Sequence, residues 1–287
     1  MKIKAAGITD VGLKRDGNED FLSLDDSLGL YIVADGMGGH LAGEVASRIA
    51  VEMINESYKK WIKKEATAEE IFGPGDSSLT LRGNYISSSI KLANRVVLEM
   101  AKEYAEYHGM GTTVVVLLIN ADLIVAAHVG DSRIYMIRDG HMERLSKDHT
   151  LVSEQVEMGI MTPAEAETSP LRHVLTRNLG STSSVQPEVY EIEPFDEDRF
   201  ILCSDGLTDL VSDEEIFKMM QNEDEPERLC HQLIEKALQR GGHDNTTVVS
   251  VFLTEMKKDG AGPLFKLGQL LADLIIGIQK TIKKFIP

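Results

Sequence analysis

Four times in this chain a short apolar, strand-like run meets an aspartate that stands beside glycine or asparagine. Leu30 to Ala34 runs into Asp35-Gly36, Ile124 to Gly130 into Asp131, and Phe200 to Ser204 into Asp205-Gly206, while Asp244-Asn245 opens the run Thr246 to Phe252. A carboxylate is costly to bury without a partner, so acids at the ends of core strands demand a positive countercharge. The neighbouring sequence barely offers one. Hard divalent cations are the natural candidates, and oxygen donors without a Cys or His cluster favour Mg²⁺ or Mn²⁺ over zinc.

The 287 residues, 43% of them apolar, suffice for one large core, and the chain divides by composition into residues 1–256 and 257–287. The formal charge is −16; the last 31 residues carry six Lys against two Asp, so the first 256 carry −20. Such an acidic body argues against a nucleic-acid partner, which needs a basic footprint. The only cysteines, Cys203 and Cys230, form no Cys-x-x-Cys pair and read as buried thiols in a reducing compartment. Met1 to Gly12 has no apolar signal-peptide core, and no stretch reaches the ~20 apolar residues of a membrane span. The expected location is the cytoplasm.

Helical spacing begins near His40, with Ala42, Val45, Ala46, Ile49, Ala50 and Met53, and returns over Tyr85 to His108. Then the period shortens to two. Thr112 to Ile119, Leu123 to Val129, Ile134 to Arg138, Val189 to Ile192, Phe200 to Ser204 and Thr246 to Phe252 read as strands. Ser146 to Pro187 mixes short helical pieces with turn residues, an irregular surface excursion. Helices follow at Ser212 to Gln221, opened by a Ser212–Glu215 capping box, and at Pro226 to Arg240. These blocks predict an α+β domain of four layers, α-β-β-α, with two antiparallel sheets face to face and helices outside.

Six motifs carry a family resemblance: Arg15-x-x-Asn18-Glu19-Asp20, Asp35-Gly36-Met37-Gly38-Gly39 with Gly43-Glu44, Gly111-Thr112-Thr113, Gly130-Asp131-Ser132-Arg133, Ser204-Asp205-Gly206-Leu207-x-Asp209 and Asp244-Asn245-Thr246-Thr247. In this order, across roughly residues 3 to 253, the sequence resembles the metal-dependent type 2C Ser/Thr protein phosphatases in their compact bacterial form. The resemblance implies a two-metal centre of Mn²⁺ or Mg²⁺ bridged by Asp35, with the Gly36 carbonyl on one ion and Asp205 and Asp244 on the other. Glu19 then holds metal-bound water, with Asp20 behind it, Asp131 and Asp209 serve a weaker third ion, and Arg15 clamps the substrate phosphate. It further implies hydrolysis of phosphoserine or phosphothreonine by direct attack of a metal-bridging hydroxide, without a phosphoenzyme, on phosphorylated proteins made by a Ser/Thr kinase. Ser146 to Thr176 is then a flap that contacts the substrate protein. Met37 departs from the pattern of eukaryotic members, which carry a His there as a proposed acid for the leaving group; metal-bound water and His40 are the alternatives.

Taken singly, each feature also has a plainer reading. An Asp-Gly pair is ordinary turn chemistry, Ser132 lacks the ordered His and acid of a nucleophile, and His128 and His243 read as hydrogen-bonded structural residues. Arg15 could be one half of a surface ion pair. Two other functions stay open: a catalytically weak phosphoprotein-binding scaffold recruited through its C-terminal helix, and a phosphodiesterase or nuclease on the same centre. After Gly260-Ala261-Gly262-Pro263, the apolar positions Leu264, Leu267, Leu271, Leu274, Ile275, Ile278, Ile282 and Phe285 form one side of an amphipathic helix. Residues 264–286 could fold back on the domain, meet a membrane surface through Lys280, Lys283 and Lys284, or bind a partner helix.

Overall fold

The computed structural model describes residues 1–38 and 41–255. Its strands are β1 (Lys2–Asp10), β2 (Asp20–Asp25), β3 (Leu30–Met37), β4 (Gly111–Thr112), β5 (Val114–Ile119), β6 (Ile124–Val129), β7 (Arg133–Arg138), β8 (His141–Arg144), β9 (Glu188–Ile192), β10 (Arg199–Cys203) and β11 (Thr246–Thr254). The helices are α1 (Leu41–Lys64), α2 (Leu81–Glu103), α3 (Leu151–Glu157), α4 (Pro163–Thr168), α5 (Asp205–Thr208), α6 (Asp213–Asn222) and α7 (Pro226–Gln239). One sheet runs β1-β11-β10-β7-β8; the other runs β2-β3-β5-β6-β9, with β4 attached to β3.

Alternation along the strands assigns the layers. On β3, Tyr31 and Val33 join Phe200, Leu202, Val249 and Val251 in a dry seam between the sheets. The intervening Leu30, Ile32 and Ala34 face outward onto Ala46, Ile54, Ile86 and Ile90 of α1 and α2. On β10, Ile201 and Cys203 turn away from the seam toward Ile216, Leu229 and Leu233 of α6 and α7. This is the expected α-β-β-α stack, and truncating a seam residue such as Leu202, fully buried, should cost about 2–5 kcal/mol. Cys203 and Cys230 are both buried and unbridged.

Local differences from the sequence reading have local causes. α2 starts at Leu81 rather than Tyr85, because the Thr80 hydroxyl accepts the Gly83 N–H at 3.2 Å, and it ends at Glu103, where Tyr104 turns extended. β3 continues through Asp35 and Gly36 to Met37, so Asp35 lies within a strand and not at its end. The Thr112 to Ile119 run is split at Thr113, whose N–H donates to the Asp35 carbonyl at 2.8 Å. β10 stops at Cys203, and Asp205 opens the single turn α5. The Ser212 N–H does reach Glu215 Oε2, at 3.3 Å. The flap holds α3 and α4 and is closed at its base by Leu151 N–H to Val174 O (2.8 Å) and Thr176 N–H to His149 O (2.9 Å). The boundary at 256/257, the expected tail helix at 264–286 and His40 lie outside the described residues. Among the described residues no helix is long and apolar enough to cross a membrane.

Candidate metal centre

The register of β2 on β3 places Asp20 directly opposite Asp35. Directly opposed residues share a face, and the parity of Tyr31 and Val33 fixes that face as the inner one. Both carboxylates therefore enter the seam at the end where its apolar filling stops. The second sheet meets them there: Ser204 and Thr247 donate their hydroxyls to Asp20 Oδ2 at 2.8 and 2.7 Å. Asp20 is 4% exposed, and its Oδ1 is buried with no hydrogen-bond partner. Asp35 and Asp205 approach within hydrogen-bonding reach of each other, an approach two carboxylates sustain by sharing a proton or a cation.

Burial, then the charges of Asp20, Asp205, Asp131 and Asp244, pushes the Asp35 carboxyl well above the usual range. Burial first and Asp205 next raise Asp131 to about 8; burial raises Asp20 to about 7 against the two hydroxyl donors. Asp205 moves the other way. Burial alone would raise it, but donation from His173 and Asp35 carries it below its ordinary value.

Backbone contacts hold these acids in place. Asn245 Oδ1 accepts the Glu19 N–H at 2.8 Å, and its amide donates to Val11 O and Gly17 O at 3.0 and 2.9 Å, pinning the loop that carries Arg15 and Glu19. The Glu19 carbonyl accepts Gly36 N–H at 3.1 Å and Ser47 Oγ at 2.6 Å. A Cβ on Gly36 would lie 2.1 Å from the Gly43 carbonyl oxygen, so glycine is what lets α1 close onto β3 beside Asp35. Thr113 Oγ1 accepts the Asp35 N–H at 3.1 Å and pairs with Ser132 Oγ at 2.7 Å, which fixes Ser132 as a buried turn hydroxyl.

Cationic side chains also come close, more than the sequence led us to expect. Arg15 Nη2 lies 2.7 Å from Asp244 Oδ2. His173 reaches from the flap with Nδ1 3.6 Å from Asp205 Oδ2 and Nε2 3.5 Å from Asp209 Oδ2; Arg172 and His243 stand 4.0 and 3.8 Å from the same Asp209 oxygen. Sequence reasoning passed over His173 and Arg172, because only the folding of the flap brings them here. A cleft of roughly 770 Å³ opens between the flap and α5–α6, lined by Asp131, Asp205, Asp209, Arg172 and His173. Met37 offers no proton, and its sulfur accepts from Asn178 Nδ2 at 3.8 Å. His128 points its Nε2 at the Lys147 carbonyl, 2.8 Å away.

The donor set fits hard divalent cations: converging carboxylates, a glycine-bared backbone at Gly36, and a buried Asp20 oxygen left without a hydrogen bond. A profile of the family described as protein phosphatase 2C matches residues 14–239. The chain belongs to the protein phosphatase 2C family. It is an enzyme, a serine/threonine protein phosphatase of that type. The serine/threonine phosphatase stp of Listeria monocytogenes is 33% identical over 258 residues, 88% of this phosphatase and 98% of that one. The phosphatase PstP of Mycobacterium tuberculosis is 36% identical over 249 residues, 87% of this chain and 45% of that protein. Its crystal structure superposes with a TM-score of 0.76 at 35% identity, covering 88% of this chain and 99% of that one. A crystal structure of the PstP catalytic domain in complex with two manganese ions gives 0.74 at 34% identity, with 88% and 99% covered.

Proposed function

We propose that the phosphatase hydrolyses phosphoserine and phosphothreonine in proteins phosphorylated by a Ser/Thr kinase, using two Mn²⁺ or Mg²⁺ ions held by Asp35, the Gly36 carbonyl, Asp205 and Asp244. Bound there, the ions would acidify a water and offset the charge that grows on the phosphoryl oxygens. Asp35 would be shared by the two ions in this reading: it stands on the inner face of β3, and Asp205, at the start of α5, comes within hydrogen-bonding reach of it. Glu19, carried on the loop that Asn245 pins, orients water, and Asp20 steadies the arrangement through Ser204 and Thr247. Asp131 and Asp209 serve a third, weaker position beside the cleft. Arg15 leaves Asp244 to grip the substrate phosphate with its planar fork. All of these groups lie within residues 1–256, which constitute the catalytic domain in this reading.

The observation that carries the reading is the meeting of Asp20, Asp35, Asp205 and Asp244 at one end of the inter-sheet seam, where burial first and the neighbouring acids next push the Asp20 and Asp35 carboxyls above their ordinary range. Acids so arranged are costly to the fold unless they hold cations, and the manganese-bound relative supports that use. The direct test is hydrolysis of a phosphothreonine peptide by the full chain with Mn²⁺ or with EDTA, alongside Asp35→Ala. Turnover is expected only with metal and should fall by several orders of magnitude in the variant. Near-normal turnover by Asp35→Ala would refute the assignment.

A further inference from the structure

Behind the Gly130–Asp131 turn lies a buried group that the chemistry above does not use: His128, His149 and Glu188, with ligand-type atoms within 4.8 Å of one another. His149 has a wholly buried side chain and stacks on the His128 ring at 4.7 Å. Its Nδ1 accepts the Gly130 N–H at 3.1 Å, and the His149 backbone N–H donates to the Gly130 carbonyl at 3.0 Å. With the Nδ1 lone pair engaged, the neutral ring carries its proton on Nε2, which stands 3.1 Å from Glu188 Oε1. Glu188 is fixed in turn by Arg177 Nη2 at 3.2 Å, by the Tyr190 hydroxyl at 3.0 Å and by its place opposite His128 in the β6–β9 ladder. His128 Nε2 is occupied by the Lys147 backbone. These hydrogen bonds, and a guanidinium already on Glu188, make the group a proton-bonded lock rather than a cation site.

The lock joins segments that have no covalent reason to move together. The His149 carbonyl accepts Thr176 N–H at 2.9 Å, and the flanking Thr150 pairs with Leu175 in an isolated bridge, so His149 also sits where the two stems of the flap meet. On its other side is Gly130, with a φ of +107° and no room for a Cβ, which would fall 2.6 Å from the Thr113 side chain. Thr113 is the residue that holds the Asp35 N–H.

We infer that His149, oriented by Glu188, is a positioning residue that ties the Gly130–Asp131 turn to both stems of the flap, so that the third-ion acid and the substrate-facing flap are set as one unit. The inference rests on the role proposed above for Asp131. Its test uses the full chain in two measurements. In amide hydrogen exchange of the metal-free protein, His149→Ala should speed exchange over 128–133 by about tenfold, the loss of roughly one hydrogen bond, and over 174–177 with it, because the His149 backbone that holds Thr176 loses its side-chain anchor. His149→Asn, whose side-chain oxygen overlies Nδ1 but falls short of Glu188, should restore protection at 128–133. In phosphopeptide turnover, His149→Ala should need about tenfold more Mn²⁺ for half-maximal rate, with kcat recovering at high Mn²⁺ and KM changing little. Glu188→Gln should show the same pattern more weakly, and it decides the matter if His149→Ala does not fold. Exchange unchanged over 128–133 or over 174–177, or a deficit that excess Mn²⁺ does not repair, overturns the inference. Asp131→Ala separates the two readings: an unaltered Mn²⁺ requirement there removes the metal role of Asp131, while the exchange data still decide whether His149 couples turn and flap.

Discussion

Arg15 is the residue whose removal separates substrate binding from metal binding. Its guanidinium pairs with Asp244 at 2.7 Å, but the side chain is 49% exposed, and exposed pairs are worth only about 0.2–1 kcal/mol. Arg15→Ala should therefore release Asp244 at little cost and strengthen Mn²⁺ binding by no more than about fivefold, the equivalent of that energy at 1.4 kcal/mol per decade. A charge-assisted contact to phosphate is worth about 1.5–3 kcal/mol, so kcat/KM for a phosphothreonine peptide should fall by roughly 10- to 150-fold, chiefly through KM. Arg15→Lys should recover part of that loss, since it keeps the charge and gives up the fork. Calorimetric Mn²⁺ titration and steady-state kinetics on the same preparations read both quantities. Mn²⁺ affinity reduced tenfold with KM unchanged would show that Arg15 supports Asp244 and never holds substrate.

Gly36→Ala would put a methyl 2.1 Å from the Gly43 carbonyl oxygen, against an ordinary contact of about 3.4 Å, so α1 must back away from β3. A cost of about 3 kcal/mol should lower Tm by about 6–12 °C and weaken Mn²⁺ binding; an unshifted melting curve contradicts the close approach. Asp198 is fully buried, takes both prongs of Arg138 at 2.8 and 2.7 Å and accepts the Phe195 N–H at 2.8 Å. Asp198→Ala leaves the Arg138 guanidinium with the Glu193 carbonyl but no countercharge and should cost about 3–5 kcal/mol in urea unfolding, and a loss below about 1 kcal/mol would mean that Arg138 finds solvent instead. Burial, reinforced by the neighbouring His149, pushes His128 down to about 4. A histidine with a depressed folded pKa keeps full stability above its unfolded value of about 6.5 and loses it as pH falls toward 4, by up to about 3 kcal/mol. The metal-free wild type should therefore weaken more steeply over that interval than His128→Asn, and parallel curves would place the lost protonation elsewhere.

Much of this was legible because the inner strands are apolar almost throughout. Leu30 to Ala34 and Val249 to Leu253 announce buried strands by composition, and the aspartates that interrupt them mark where the seam ends. What stayed hidden depends on tertiary approach. The exposed edge strand β8, His141-Met142-Glu143-Arg144, carries too little apolar signal to be read. The start of α2 was obscured by Gly83 and Asn84, both poor helix formers; Asn84 is buried and bonds the carbonyls of Asp76, Leu79 and Thr80. Asp35, Asp205 and Asp244 could be singled out because each stands beside a residue that bares or turns the backbone. The roles of Asn245, Thr113 and His173 could not be read, since an amide, a hydroxyl and a flap imidazole gain them from partners 226, 78 and 36 positions away in the chain (Glu19, Asp35 and Asp209).

The position of β11 has a consequence for how the enzyme comes into being. It is the last of the described strands in the chain, yet it lies in the interior of its sheet, between β1, the first of them, and β10. During synthesis β1 therefore emerges early and has no neighbour in its own sheet until nearly all of the domain has left the ribosome. The same late segment delivers Asp244 and Asn245, and Asn245 is what ties down the loop of Arg15 and Glu19. A nascent chain can pair Asp20 with Asp35 in the β2–β3 hairpin, but the last strand must arrive to close the other sheet and bring Asp244 to the centre.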